Sequence, residues 1–342
     1  MVASAPRLPV FVLAGYLGAG KTTLLNDLLH NTLGVRIGVI VNDFGDIAVD
    51  AALVDAAIDT VTTLEGNCLC CITDAGAIDG MIERLAQPRL QLDAIVVESS
   101  GLADPANLAR RVSATKVDRA RYAGTILVVD AAEHAETLRR HPQIAQDGKV
   151  ADLVVLNKAD LVEPAELEHL REQLSVSSQG APVLATSFAR VDPALLFDPV
   201  EHTPPRFGQV TLPFETLSGT AEPHLHHQYD SLSFTTERPL SPAALLDLLY
   251  EHPGGLYRLK GHVRLNVTRG PGASKHPLEV QSVGPHVRFA RQRAHQVDHT
   301  ELVLIGPGLD RQLLTDRLEA CCCETPKPAD RTAMITINRY LD

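Results

Sequence analysis

Residues 15–23 constrain this chain more than any other part of its sequence. They read Gly-Tyr-Leu-Gly-Ala-Gly-Lys-Thr-Thr, which fits the pattern G-x-x-x-x-G-K-[ST] of a phosphate-binding loop. The β-branched and apolar residues 10–14 before it predict a buried strand, and the leucines within residues 23–29 after it have helical spacing. Because strand, glycine loop and helix is the context that this motif requires, the sequence predicts a nucleoside triphosphate site.

The residue types of the loop suit that ligand. Glycines allow backbone N–H groups to curl around a phosphate, and the N-terminus of the following helix adds its positive dipole. Lys21 is expected to reach the β- and γ-phosphates, and the Thr22 hydroxyl to be a ligand of Mg²⁺. The predicted nucleotide-binding residues of the loop are Gly15, Gly18, Ala19, Gly20, Lys21, Thr22 and Thr23. The alternative is a glycine-rich turn followed by a chance Lys-Thr pair.

Residues 9–190 alternate apolar strands with helical stretches. Further strands are predicted at 36–41, 61–64, 94–98, 125–129 and 152–156, with helices at 75–86 and 164–174. Apolar strands separated by helices predict an α/β fold whose mostly parallel sheet is covered on both faces. In such sheets the ligand lies at the carboxyl ends of the strands. The nucleotide motifs all follow strands, so we expect them to form one site.

Asn157-Lys158-Ala159-Asp160 follows a strand and fits N-K-x-D. The carboxylate of Asp160 can accept hydrogen bonds from the N1–H and N2–H₂ groups of guanine, which adenine does not offer. Asn157 is expected to support the loop and contact N7, and the stem of Lys158 to cover the base. This motif predicts GTP and GDP as ligands. Residues 186–188 are a further candidate for a backbone contact to the base.

Acidic residues follow two of the predicted strands. Glu98 can hold Mg²⁺ through water or orient the attacking water, although it could instead only cap the next turn. Gly101 allows its N–H to approach the γ-phosphate. Asp43 and Asp46 lie where a nucleotide-sensitive switch segment is expected, and either could serve the Mg²⁺ or the water. The predicted catalytic residues are Lys21, Glu98 and Asp46.

The six cysteines fall into two groups, 68–71 and 321–323. Tight clusters are more typical of metal or redox sites in cytosolic proteins than of a secreted disulfide framework. Thiolates of Cys68, Cys70 and Cys71 on a loop can converge on one soft ion such as Zn²⁺, and three ligands leave one tetrahedral position open. Buried free thiols and a redox pair are the alternatives. For residues 321–323, which end a helical run, we expect packing.

Residues 199–228 are rich in proline and predict a linker, which carries His224, His226 and His227. A solvated linker of this kind need not bind anything. We predict a P-loop domain at 1–198 and a smaller α+β domain at 229–324. Its strands are expected at 229–235, 263–268, 287–291 and 301–305, and its helices at 241–250 and 310–320. The sequence pattern does not predict the secondary structure of the tail at 325–342.

Composition limits the class of protein. With 45% hydrophobic and 21% charged residues the chain is expected to be globular. A net charge of −11 argues against a nucleic-acid partner, which requires a basic surface. No apolar run approaches the length of a membrane span, and the first residues lack a signal-peptide pattern. We therefore expect a cytoplasmic protein.

Five ordered segments together resemble a known family. They are G-x-L-G-A-G-K-T-T at 15–23, V-N-D-F-G-D at 41–46, C-x-C-C at 68–71, E-S-S-G-L-A-D-P at 98–105 and N-K-A-D at 157–160. The chain resembles the CobW-like family of P-loop GTPases, which includes zinc metallochaperones, the CobW proteins of cobalamin biosynthesis and activators of nitrile hydratase. Residues 257–261 and 302–306 look like landmarks of that family's C-terminal domain.

The resemblance implies a GTPase whose hydrolysis is coupled to binding and delivering a divalent metal, most often Zn²⁺, to a metalloprotein client. It implies that Cys68, Cys70 and Cys71 bind the metal near the switch region. Two features depart from the family: Gly66-Asn67 stands where many relatives have Asn-Gly, and Asp43 and Asp46 stand where Glu is common. The alternatives are an activator of one metalloenzyme and a nucleotide-binding regulator with structural cysteines.

Overall fold

The computed structural model describes residues 7–31, 33–41, 61–63, 75–101, 104–198, 229–266, 277–291, 299–339 and 341. Its first sheet has seven parallel strands in the order β3-β2-β4-β1-β5-β6-β7. These are β1 (Leu8–Gly15), β2 (Ile37–Val41), β3 (Val61–Thr63), β4 (Ala94–Glu98), β5 (Ala120–Asp130), β6 (Leu153–Asn157) and β7 (Val183–Ala185). The predicted α/β fold with a mostly parallel sheet is confirmed.

Helices cover both faces of this sheet. They are α1 (Lys21–Leu29), α2 (Ala75–Leu85), α3 (Pro105–Ser113), α4 (His134–Arg140) and α5 (Pro164–Ser177). Val10 and Val12 of β1 share a buried cluster with α2 and α3, whereas Phe11 and Leu13 share another with α1. Alternate side chains of one strand therefore pack against opposite layers, as a strand buried on both faces requires.

The second domain is built on an antiparallel sheet with the order β11-β10-β9-β12-β8. Its elements are β8 (Asp230–Thr236), α6 (Pro242–Glu251), β9 (Arg258–Val263), β10 (Leu278–Val283), β11 (His286–Arg291), β12 (Thr300–Gly306), α7 (Arg311–Cys321) and α8 (Pro328–Arg339). Short side chains cap two of the helices: Ser241 accepts a hydrogen bond from Ala244 N, and Asp310 from Leu313 N. The predicted α+β character of this domain agrees with the structure.

One strand prediction for this domain was wrong. We expected a strand at 263–268, but the strand runs over Arg258–Val263, and residues 264–266 contribute only an isolated bridge at Leu265. Lys260 and His262 place polar groups within β9, so its apolar signal is weak. β9 nevertheless forms a strand, because β10 and β12 pair with it on both sides.

The tail contains a helix that sequence pattern left undetermined. In α8, Ala333 and Ile337 are buried in the same cluster as Leu245 and Leu314. Asp330, only 3% exposed, accepts a hydrogen bond from the Ser241 hydroxyl at 2.5 Å and so ties α8 to the start of α6. The tail thus contributes to the core of the C-terminal domain.

Arg258 makes polar contacts between the two domains. Its Nη1 donates to the carbonyl oxygens of Ala194, at 2.8 Å, and Phe197, at 2.6 Å. Its Nη2 pairs with Asp198 at 2.6 Å. Burial lowers the pKa of this guanidinium, and the Asp198 carboxylate opposes that shift. The pair ties Asp198 to β9.

None of the helices in the described part of the chain is long and apolar enough to cross a bilayer.

Candidate nucleotide and metal site

Residues 16–20 join β1 to α1 at the carboxyl edge of the sheet. Gly18 and Gly20 have φ angles of 76° and 107°, in the left-handed region that favours glycine. A Cβ atom on Gly20 would lie 2.4 Å from Asn157 Nδ2, so a larger residue there would displace the Asn157 side chain. The tight turn leaves the N-terminus of α1 facing the space above the sheet edge, where an anion would meet its dipole.

Lys21, Thr22 and Glu98 meet beside this loop. Lys21 is only 8% exposed, and its Nζ donates to the carbonyl oxygen of Tyr16 at 3.3 Å. The Thr22 hydroxyl donates to Glu98 Oε1 at 3.0 Å, and Glu98, the last residue of β4, is 3% exposed. A hydroxyl and a carboxylate at this distance are hard oxygen donors, which fit the preference of Mg²⁺.

Gly101 lies directly against the phosphate loop. A Cβ atom at this position would lie 2.7 Å from Leu17 Cδ2 and 2.8 Å from the Leu17 backbone nitrogen. The segment after β4 can therefore approach the loop only because residue 101 has no side chain. This closeness is what the predicted contact between the Gly101 N–H and the γ-phosphate requires.

Asn157 joins two loops of the site. It is 3% exposed at the end of β6, its Nδ2 donates to Ala19 O at 2.8 Å, and its Oδ1 accepts from Ala189 N at 2.7 Å. One amide therefore holds the phosphate loop to the loop after β7. Its contact with N7 of the base stays a prediction.

Lys158 and Asp160 lie on the next turn of chain. Lys158 has a φ of 60°, and its Nζ pairs with Asp130 Oδ2 at 2.5 Å. Asp130, at the end of β5, is itself fixed, since its Oδ1 accepts from Ala132 N and Glu133 N. Asp160 is exposed in the short 3₁₀ turn Ala159–Leu161. An exposed carboxylate beside a fixed lysine stem is the arrangement that the predicted guanine contacts need.

The loop after β7 carries two consecutive non-glycine residues with positive φ. Phe188, at 57°, is 71% exposed, whereas Ala189, at 53°, is fully buried. Such a conformation costs roughly 1–2 kcal/mol per residue, so it must be held by its surroundings. Asn157 holds Ala189, and the Thr186 hydroxyl donates to Arg190 O at 2.5 Å across the base of the loop.

A cavity of about 560 Å³ opens beside the phosphate loop and is bounded by Gly18 and the Lys158 stem. On its far side, burial, and then the charge of Asp104, raise the pKa of Asp147 to about 7. Burial also lowers the pKa of His134. Both shifts favour the neutral forms of these two side chains, Asp147 and His134, beside the cavity.

Sequence reasoning missed two residues that organise the site, Asp130 and Ala189. Asp130 ends a strand as Glu98 does, so the signal that identified one acid was present for the other. The sequence does not indicate the role of Ala189, because alanine, unlike glycine, does not predict a positive φ.

Several predicted site residues lie outside the described residues: Asp43, Asp46, Cys68, Cys70, Cys71, His224, His226 and His227. Within the described residues, no group of three or more His, Cys, Asp or Glu side chains could hold a metal ion.

The described cysteines are 321–323. Cys321 is 2% exposed in the core of the second domain, where burial raises the pKa of its thiol to about 11. The Cys323 thiol donates to Thr325 O at 2.9 Å, away from the core. Cys321 therefore packs as expected, and the three thiols do not form a metal-binding group.

Residues 9–185 match the family described as CobW/HypB/UreG, nucleotide-binding domain, and residues 229–322 match the Cobalamin synthesis protein cobW C-terminal domain. This chain belongs to the CobW family. The membership confirms the predicted family, with its nucleotide-binding domain followed by a C-terminal domain.

Two curated relatives show the extent of the similarity. The zinc chaperone CobW of Pseudomonas aeruginosa is 31% identical, and the match covers 91% of this chain and 91% of that protein. The zinc chaperone YjiA of Escherichia coli is 33% identical over 56% of this chain and 61% of its own length. The crystal structure of Zn(II)-bound YjiA GTPase from E. coli covers 93% of this chain and 100% of its own, at 22% identity and a TM-score of 0.44.

Proposed function

We propose that this CobW family member is a GTP-hydrolysing metallochaperone, which couples GTP binding and hydrolysis to delivery of a divalent metal, Zn²⁺ above all, to a metalloprotein client. One observation carries the GTPase part: the Thr22 hydroxyl bonds to Glu98 beside the buried Lys21. These three side chains come from the loop and a neighbouring strand, and their chemistry suits a metal-bound triphosphate.

The chain's own groups account for the hydrolysis step. The N–H groups of the phosphate loop and the Lys21 ammonium bind the phosphates and stabilise the negative charge that develops on them. Mg²⁺, held by Thr22 and Glu98, would neutralise charge on the β- and γ-phosphates. Gly101 brings its N–H toward the γ-phosphate, and Glu98 or Asp46 orients the attacking water.

Guanine selectivity follows from Asp160. Its exposed carboxylate can accept two hydrogen bonds from the guanine edge, while Asn157 fixes the two loops that flank the base. Adenine offers this carboxylate no matching pair of donors. Selection of GTP over ATP is therefore expected.

The metal part rests on Cys68, Cys70 and Cys71 and on the family. Cys68 follows Thr63, the carboxyl end of β3, by five positions in the sequence. Because β3 pairs with β2, and β2 with β4, its carboxyl end lies on the same edge of the sheet as Glu98. A thiolate segment that starts from this edge suits nucleotide control of metal affinity. Relatives named zinc chaperone support Zn²⁺ as the cargo.

A second candidate is an activator that inserts metal into one specific enzyme. A relative from Schizosaccharomyces pombe is named zinc-regulated GTPase metalloprotein activator 1, with 29% identity over 54% of this chain and 47% of that protein. A stable client complex that forms in only one nucleotide state would favour this activator over a carrier of metal ions.

The test combines turnover with metal content. We expect the full chain to hydrolyse GTP but not ATP, and Lys21→Ala to abolish turnover. Zn²⁺ binding should be lost in Cys70→Ala and retained in Cys323→Ala, the matched control from the other cysteine group. If Cys70→Ala retains both Zn²⁺ binding and metal-stimulated turnover, the metallochaperone proposal is wrong.

A further inference from the structure

The second sheet has two edge strands, which differ in how far they resist pairing with another chain. In β11, three of the six residues are histidine or arginine, and Leu341 pairs with Phe289 on the outer side of the strand. β8 reads Asp-Ser-Leu-Ser-Phe-Thr-Thr, with no proline, no basic residue and no charge after Asp230. Folded proteins protect edge strands with charges, prolines, bulges or covering segments. Because β8 lacks basic residues and proline, it is suited to pairing with a further strand.

The outer side of β8 is open in the described part of the chain. All seven residues of the strand pair with β12 in an unbroken antiparallel register, which excludes a bulge. Apart from these pairs, no backbone hydrogen bond joins residues 231–236 to another described segment. Since an antiparallel strand directs its N–H and C=O groups to both sides, β8 presents a row of unpaired groups.

The two faces of β8 differ in chemistry. Phe234 is buried in the core cluster of the second domain, and Leu232 is half-buried against the same cluster. Ser231, Ser233 and Thr235 alternate with them and are exposed. At the centre of the strand one face is therefore apolar and the other carries hydroxyl groups, as the two-residue period of a strand requires.

This alternation makes β8 complementary to a second copy of itself. In an antiparallel pair centred on Ser233, Leu232 of one copy lies opposite Phe234 of the other, so the apolar face continues from one copy to the next. On the exposed face, Ser231 lies opposite Thr235, and Ser233 opposite its own equivalent. Apolar pairs and hydroxyl pairs are among the cross-strand contacts that stabilise a sheet.

We propose that a second copy of this chain pairs with β8, which joins the two five-stranded sheets into one sheet of ten strands. In this register Asp230 of each copy lies opposite Thr236 of the other, so no like charges face each other within the strand. Because the same segment serves both copies, the contact closes at a dimer. The pairing is separate from the proposed GTPase and metal functions and does not depend on them.

Sedimentation of the full chain over a range of concentrations tests the pairing. A chelator prevents metal from joining cysteines of different copies, and about 0.15 M salt screens the net charge of −11 on each copy. We expect the mass to rise from 36.9 kDa to twice that value as the concentration rises. Ser233→Lys places two ammonium groups opposite each other and should weaken the dimer about tenfold. Ser233→Glu should weaken it in the same way.

A mixture of Ser233→Lys and Ser233→Glu should associate at least as tightly as the wild type, because opposite charges then meet at the centre of the pair. A variant that had merely failed to fold would not be rescued in this way. Ser113→Lys is the matched control, because it makes the same change at an exposed serine in the first domain. It should leave the dissociation constant of the dimer unchanged.

Three results would overturn the proposal. The first is a wild-type chain that stays monomeric at every concentration or grows beyond a dimer. The second is a Ser233→Lys variant that associates as tightly as Ser113→Lys. The third is a mixture of the two Ser233 variants that associates no more tightly than either variant alone.

Discussion

Replacing Asn157 by alanine should uncouple the phosphate loop from the loop after β7. The change removes the bonds to Ala19 O, at 2.8 Å, and from Ala189 N, at 2.7 Å, and leaves both backbone groups without their partner. A buried polar group left unsatisfied costs about 1–3 kcal/mol, so we expect the free energy of unfolding to fall by roughly 2–4 kcal/mol. The strained φ at Ala189 loses its anchor at the same time.

Nucleotide affinity shows whether the loss of the two Asn157 hydrogen bonds weakens binding at the site. Both loops must hold their shape to bind GDP, and about 1.4 kcal/mol corresponds to tenfold in affinity, so we expect GDP to bind roughly 10- to 100-fold more weakly. Asn266→Ala is the control, because Asn266 is also buried and donates to Cys323 O at 2.6 Å, but within the second domain. It should lower stability by about 1–2 kcal/mol and leave GDP affinity unchanged.

The assays are urea unfolding and titration with a fluorescent GDP analogue. If Asn157→Ala is destabilised as much as expected but binds GDP as tightly as the Asn266→Ala control, the amide does not couple the two loops. Asn157 would then have no part in shaping the base-binding region.

Two further variants test the electrostatics of the site. Asp160→Asn should weaken GTP binding about 100-fold, because two hydrogen bonds to the base depend on the carboxylate, without improving ATP binding; equal GTP affinity in a competition assay would contradict this. Burial and Asp104 raise the pKa of Asp147 from 3.8 to about 7, so the native state favours the neutral acid and the free energy of unfolding declines as pH rises through that window. Asp147→Asn should remove this decline, so the variant's free energy of unfolding should exceed that of the wild type by an amount that grows between these two pH values and is constant above them. If urea unfolding shows a difference that does not depend on pH, the pKa of Asp147 is not raised in the native state.

Much of the first domain could be predicted from sequence because its strands are buried on both faces. Runs such as Val10–Ala14 and Leu153–Leu156 are apolar at every position, which leaves a strong local signal. The second domain gave a weaker signal. β10 was not predicted, because its buried positions end in the polar residue Ser282. The strand at β9 was predicted too far along the chain, because β9 contains Lys260 and His262.

The contacts within the site could not be predicted from the sequence, because they join residues that are far apart in the chain. Thr22 and Glu98 lie far apart in the sequence, and only the pairing of β1 with β4 brings them together. The motifs named these residues, but not the role of Asn157 as a link between two loops or the pairing of Lys158 with Asp130. Both depend on the order of β5, β6 and β7, which no local pattern encodes.

In the proposed mechanism the nucleotide state controls the affinity of the chain for metal. The direct measurement is the Zn²⁺ dissociation constant of the full chain with a non-hydrolysable GTP analogue and with GDP, using a competing chelator of known affinity. We predict a difference of about tenfold or more, the size of an ordinary coupling free energy, which Cys70→Ala abolishes. Equal Zn²⁺ affinities in the two nucleotide states would contradict the coupling and leave only a GTPase.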